Sequence, residues 1–181
     1  VLPAATRTVR LERPLDLVRT LAPIRRGGGD PCMVLDATSC CRATRTPDGP
    51  VTEHLRHHGD AVLVEAWGPG AAWAVEHAPA LLGQLDDDRG FEPRLPFLAE
   101  LARRSLGVRL CRSNAVAEAL APTVIEQKVT GIDARRSWRR LVHQLGEPAP
   151  GPGELRLPPS PDVLARTPSW VFHRANVERK R

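Results

Sequence analysis

An α+β fold is predicted, with an antiparallel sheet and its helices in the first half of the chain and helices alone in the second. Three observations predict it. Short runs of alternating apolar residues fill the region 6–67, punctuated by the turn sequences Pro47-Asp48-Gly49-Pro50 and His58-Gly59-Asp60. Few helix-length segments separate those runs, which favours an antiparallel sheet over a doubly wound one. After the stretch Leu85-Asp86-Asp87-Asp88-Arg89-Gly90-Phe91-Glu92-Pro93-Arg94-Leu95-Pro96, only helical patterns and Pro-rich connections follow. The boundary is set accordingly, with an α+β domain at 1–92 and a helical one at 93–181.

Taken in order, Thr6–Arg13 alternates as a strand. Pro14 opens a short helix marked by Leu15, Val18, Leu21 and Ala22. Met33–Leu35 and Cys41–Thr46 are short strands. Val51–His57 and Ala61–Trp67 pair as a hairpin across His58-Gly59-Asp60. Gly68-Pro69-Gly70 opens a helix that runs to about Gly83.

In the second half Val116, Leu120, Val124 and Ile125 recur at helical spacing, with Pro122 as a kink or a restart. Thr130-Gly131-Ile132-Asp133 is a capping box: the Thr130 hydroxyl accepts from the Asp133 amide, and the Asp133 carboxylate reaches back to the amide of Thr130. The helix it opens carries Trp138, Leu141, Val142 and Leu145 on one face, and Gly146 with Pro148 stops it. Arg135, Arg136, Arg139 and Arg140 lie largely off that face. Gln127, Lys128 and Val129 are left at the turn between the two helices. An exposed polar turn beside a basic helix suits insertion into something negatively charged.

Composition narrows the classes. The 181 residues are 41% hydrophobic and 4% aromatic, with no apolar run long enough to span a bilayer. The first fourteen residues lack the apolar core of a secretory signal. Cys32, Cys40, Cys41 and Cys111 show no C-x-x-C spacing, which reads as reduced thiols and a cytoplasmic protein, with a Cys40-Cys41 redox pair as the alternative. Residues 1–95 hold 11 basic and 13 acidic side chains, against 15 and 8 in residues 96–181. The basic excess therefore sits in one half, which points to a polyanion partner for that half.

Other motifs read as structure. Arg25-Arg26-Gly27-Gly28-Gly29-Asp30 lacks the Lys-Ser/Thr of a phosphate-binding loop and reads as a turn. Adjacent His57 and His58 point to opposite faces of a strand, so no metal site is expected. Asp86-Asp87-Asp88 lacks the ligand pattern of a calcium loop and reads as a solvated linker. Trp170 and Phe172 read as core.

The run Glu126-Gln127-Lys128-Val129-Thr130, the basic helix containing Ser137-Trp138, and the segment LGEPAPGP after it resemble the bacterial 3-methyladenine DNA glycosylase family of the type II, alkylation-repair kind, within the helix-hairpin-helix superfamily. RTLAPIRRGGGDPCM, RATRTPDGP, EAWGPGAAWA, FEPRLP and TPSWVFHRANVERKR extend the resemblance over most of the chain. It implies a TATA-binding-protein-like antiparallel domain followed by the beginning of an all-α glycosylase domain. It also implies hydrolysis of the N-glycosidic bond of alkylated bases, after the nucleotide is flipped out.

In the family the turn matching Gln127 and Lys128 projects into the gap left by the flipped nucleotide. The Lys128 stem can fill that gap, while its ammonium suits a phosphate or base edge. The implied partner is double-stranded DNA carrying alkylated bases, bound by a monomer with no cofactor and no metal. The family's hairpin, Gly/Pro-rich segment and catalytic aspartate have no counterpart before Arg181. No catalytic residue is therefore assigned, and the chain alone is expected to be truncated and inactive. Asp133 is a capping residue and Asp162 begins a helix, which makes both poor substitutes. Arg179-Lys180-Arg181 reads as a helix start. The competing expectation is a non-catalytic DNA-binding or protein-interaction module.

Overall fold

The computed structural model describes residues 1–87 and 90–178, so Arg179-Lys180-Arg181 and the Asp88-Arg89 part of the linker lie outside the described residues. Its strands are β1 (Ala5–Arg10), β2 (Met33–Leu35), β3 (Ser39–Thr46), β4 (Gly49–His58) and β5 (Ala61–Trp67). They form one five-stranded sheet in the order β1-β5-β4-β3-β2, with every neighbouring pair antiparallel. The register sets Cys40 opposite Leu55 and Leu55 opposite Val64, all fully buried in one apolar cluster.

Helices α1 (Leu17–Leu21) and α2 (Ala71–Leu81) supply the other side of that cluster through Leu17, Leu21, Ala78 and Leu81. The cap of α1 is Asp16, whose carboxylate accepts from the Arg19 amide at 2.9 Å, and not Pro14. A carboxylate satisfies one of the amides left open at a helix start, which a proline can only avoid presenting. Inside α2, Pro79 has no N–H to give the Val75 carbonyl. Arg7 of β1 replaces it, donating to the carbonyls of Val75 at 3.1 Å and Glu76 at 3.0 Å. The proline is thereby absorbed, and the helix is tied to the sheet edge.

On the opposite sheet face Ala43, Thr52 and Trp67 are paired across three strands and buried. The Gly/Pro segment 147–157 lies near this end of the sheet, closed on itself by the Pro148–Arg156 bridge. Arg45 of β3 donates to the Pro158 carbonyl at 2.9 Å and pairs with Glu147 at 3.3 Å. The second half of the chain therefore packs directly on the sheet.

That half contains α3 (Pro96–Arg104), α4 (Val116–Ile125), α5 (Gly131–Leu145), α6 (Pro161–Arg166) and α7 (Ser169–Arg174). Pro122 lies inside α4. Trp138, Leu141 and Val142 are buried as their spacing predicts, in a cluster with Ile125, Ala175 and Val177. Cys32 joins that cluster from the sheet half. Trp170 does not: it is 55% exposed, and Val171 is the buried residue of α7. In so short a helix one residue's rotation decides which side chain faces inward.

Gly146 ends α5 in extended conformation, not left-handed. Its lack of a side chain answers a close approach instead. A Cβ there would sit 2.5 Å from the Val142 carbonyl oxygen and run into that of Leu157.

Two polar devices join the halves. Arg42 of β3 is 3% exposed and holds Glu53 of β4 at 2.7 Å and Glu118 of α4 at 3.2 Å. The Thr44 hydroxyl donates to the other Glu118 oxygen. Burial pushes the Glu53 carboxyl up, and the Arg42 guanidinium opposes that rise. Burial also works against the charge of Arg42, but Glu118 and Glu53 outweigh it and keep the guanidinium protonated. The second device is Asp86, expected to be a solvated linker residue. Its carboxylate instead accepts from the Leu110 amide at 2.6 Å and faces Arg112 at 3.6 Å.

Among the described residues no helix is long and apolar enough to cross a membrane.

Candidate nucleic-acid interface

The turn between α4 and α5 is pinned at both ends and bare in the middle. Ile125 is buried before it, and Val129 packs against the same cluster after it. Gln127 and Lys128 between them are exposed. The Gln127 amide still donates to the Val124 carbonyl at 3.2 Å, so the helix overruns by one turn before reversing. The reversal falls on Lys128, whose φ of 61° is left-handed. A residue with a Cβ is held there at a cost of roughly 1–2 kcal/mol relative to its preferred conformation. A strained, exposed, polar residue at a vertex is a common mark of a functional position.

Thr130 then caps α5, accepting from the Asp133 amide at 3.3 Å. The Asp133 carboxylate does not return to the Thr130 amide as expected; it accepts the Thr130 hydroxyl proton at 2.7 Å. Donor and acceptor of one hydroxyl are both used, so the helix start is fixed beside the vertex.

The four sequence-predicted arginines divide into two pairs. Arg135 and Arg139 lean toward the loop Arg25–Asp30. The Arg135 stem occupies the space a Cβ on Gly27 would need, and Arg139 donates to the Gly28 carbonyl at 3.1 Å. That loop is shaped by Gly27 (φ 81°) and Gly29 (φ 74°) and by buried Asp30. The Asp30 carboxylate accepts from the amides of Arg26 at 2.7 Å and Cys32 at 2.9 Å. Burial raises the Asp30 carboxyl against the pull of those two amides. The glycine run is thus a bracket for the basic helix as well as a turn.

Arg136 and Arg140 face an open basin between α5 and α7, which Arg139, His143, Gln144 and Arg174 also line. Arg136 has Asp133 at 3.9 Å, with both side chains largely in solvent, so its charge stays available.

Arg174 was not legible as a site residue from its own neighbourhood. The signal was the Trp170/Arg174 spacing of four, which puts both on one side of a helix turn. In the structure the Arg174 guanidinium lies 5.0 Å from the Trp170 ring centroid.

The redox alternative finds no geometry. Cys40 is buried on one face of β3 and Cys41 half-buried on the next position, which faces the other way. Burial pushes both thiols up, so both hold their protons at neutral pH. Among the described residues no three His, Cys, Asp or Glu side chains come together as a metal site. Asp162 lies exposed in the first turn of α6, behind the Ser160 cap.

No protein-family model and no curated protein matches the sequence. Solved structures do match in fold, DNA glycosylases among them. The 3-methyladenine DNA glycosylase from Archaeoglobus fulgidus superposes with a TM-score of 0.78 at 15% identity, over 96% of this chain and 63% of that one. MBOgg1 in complex with a low-affinity DNA ligand gives 0.72 at 14%, over 97% and 58%. The Clostridium acetobutylicum 8-oxoguanine glycosylase/lyase in its apo form gives 0.57 at 12%, over 80% and 60%. The fold is therefore that of DNA glycosylases, and the chain spans about three-fifths of the length of these structures.

Proposed function

We propose that this chain is the DNA-engaging part of a base-excision repair glycosylase acting on alkylated bases. The observation that carries the proposal is the pinned turn: two exposed polar side chains at a helix–helix vertex, one of them at a strained backbone position, beside a helix rich in arginine. The glycosylase fold supports it.

In this account Arg135, Arg136, Arg139 and Arg140 draw in the phosphate backbone, and Gln127 with Lys128 occupies the space of an extruded nucleotide. Extrusion is required because the glycosidic bond cannot be reached within the base stack. Alkylated bases are cationic or electron-poor and leave readily. A carboxylate beside the sugar would stabilise the oxocarbenium charge that develops. Asp133 is engaged with Thr130 and Asp162 stands in the first turn of α6, so neither is assigned that carboxylate's role, and the chain alone is expected to bind without excising.

The test is a pair of measurements on the purified chain. Incubation with alkylated duplex should release no free 3-methyladenine or 7-methylguanine, while anisotropy should report binding at roughly 10⁻⁴ to 10⁻⁶ M that weakens with salt. Base release by the chain alone would refute the expectation that it binds without excising. Absence of binding to any duplex would refute the DNA assignment and favour a protein-interaction module.

A further inference from the structure

The basin between α5 and α7 carries more positive charge than the basic helix supplies. Its lining is Arg136, Arg139, Arg140, His143, Gln144 and Arg174, with no carboxylate among them. Arg174 comes from a different helix and faces the α5 arginines across the opening. It is held over Trp170 at 5.0 Å, by a contact that orients the guanidinium without neutralising it or consuming its N–H donors. Arg139 spends one donor on the Gly28 carbonyl and Arg136 has the half-exposed Asp133 at 3.9 Å, which leaves Arg140 and Arg174 as the groups with most to offer and Arg136 next.

We propose that this basin is a second phosphate-binding surface, in which Arg174 of α7 and Arg136 and Arg140 of α5 grip the phosphodiester backbone from two sides. The inference rests on the DNA-binding account above and adds α7 to it. The basin's form selects the ligand class. Its cations are spread along two helices around an open trough, where a single small anion would need donors converging on one point. A linear polyanion meets several of them at once and releases a counterion at each. Trp170, 55% exposed, is then a support that aims Arg174, which gives a reason for a large aromatic surface left in solvent.

The experiment uses the full chain and a labelled duplex, with binding measured by anisotropy across a salt series and folding checked by circular dichroism. Arg174→Gln should lower the slope of log affinity against log salt by about 0.9, the value of one phosphate contact. Arg136→Gln with Arg140→Gln should lower it by about 1.8. Arg174→Lys, which keeps the charge, should restore most of the slope. An unchanged slope in Arg174→Gln, with the α5 pair still sensitive, would overturn the α7 contact and leave the DNA-binding account standing. Insensitivity of every variant would refute that account itself. Poly-glutamate displacing DNA at equal charge concentration, with the same Arg174 dependence, would assign the basin to an acidic polypeptide and also overturn the proposal.

Discussion

Replacing Arg42 by Met would remove the cation at the junction of the sheet and α4 while keeping much of its volume. Glu53, 2% exposed and bonded to Arg42 at 2.7 Å, would be left buried without a counter-charge. Breaking a buried pair from one side in this way costs roughly 3–5 kcal/mol. For a chain of this size that is a melting temperature lower by about 6–20 °C.

The loss should depend on pH in a defined direction. Glu53 already has a folded-state pKa raised by burial, and Arg42 is what opposes the rise. Without Arg42 the rise is larger, so the folded variant takes up a proton at a pH where the unfolded chain does not. A raised carboxylate favours the folded state below its unfolded pKa and disfavours it above the folded one. The deficit of Arg42→Met against the parent should therefore be greatest near neutrality and shrink as the pH falls toward the ordinary glutamate range. The double change Arg42→Met/Glu53→Leu removes both charges and should recover most of the loss. Glu118 retains Thr44 and partial access to water. Urea unfolding followed by tryptophan fluorescence at two pH values measures all three quantities. A single-variant cost below about 1 kcal/mol, a deficit that grows in acid, or a double variant no better than the single would refute this account of the junction.

Three further outcomes are expected. Gly146→Ala should destabilise by more than about 1 kcal/mol in urea unfolding, because its Cβ meets backbone carbonyls that cannot rotate away. Thr130→Ala should cost about 1 kcal/mol by loss of the cap and should speed amide exchange in the first turn of α5. Lys128→Gly relieves a left-handed φ while enlarging the freedom of the unfolded chain, so its unfolding free energy should stay within about 1 kcal/mol of the parent's.

The parts of the fold visible in the sequence are those encoded locally. Gly59-Asp60 between two alternating runs made the β4–β5 hairpin legible, and Thr130 with Asp133 made the start of α5 legible. Trp138, Leu141 and Val142 followed from helical spacing alone. What was missed depends on distant partners. Arg42 finds Glu53 eleven residues on and Glu118 seventy-six residues on, and no spacing rule links the three. Asp86 reads as one of three solvated acids until the Leu110 amide is brought to it. Gly146 had the right identity for a helix stop but a different reason, the approach of Leu157. Within the candidate interface, the exposed turn and the arginines of α5 could be picked from sequence. Their division between the glycine loop and the basin could not, because Gly27 and Arg174 come from segments far apart in the chain.

The central claim is that Lys128 and Gln127 stand where a displaced nucleotide leaves space. It is tested most directly by the affinity of the parent and of Lys128→Ala for two duplexes, one intact and one with a single abasic gap, at fixed salt. A wedge has something to fill only when a nucleotide is displaced. The parent should prefer the gapped duplex, and Lys128→Ala should lose much of that preference while binding intact DNA almost as before. A parent indifferent to the gap, or a Lys128→Ala variant weakened equally on both duplexes, would contradict the claim.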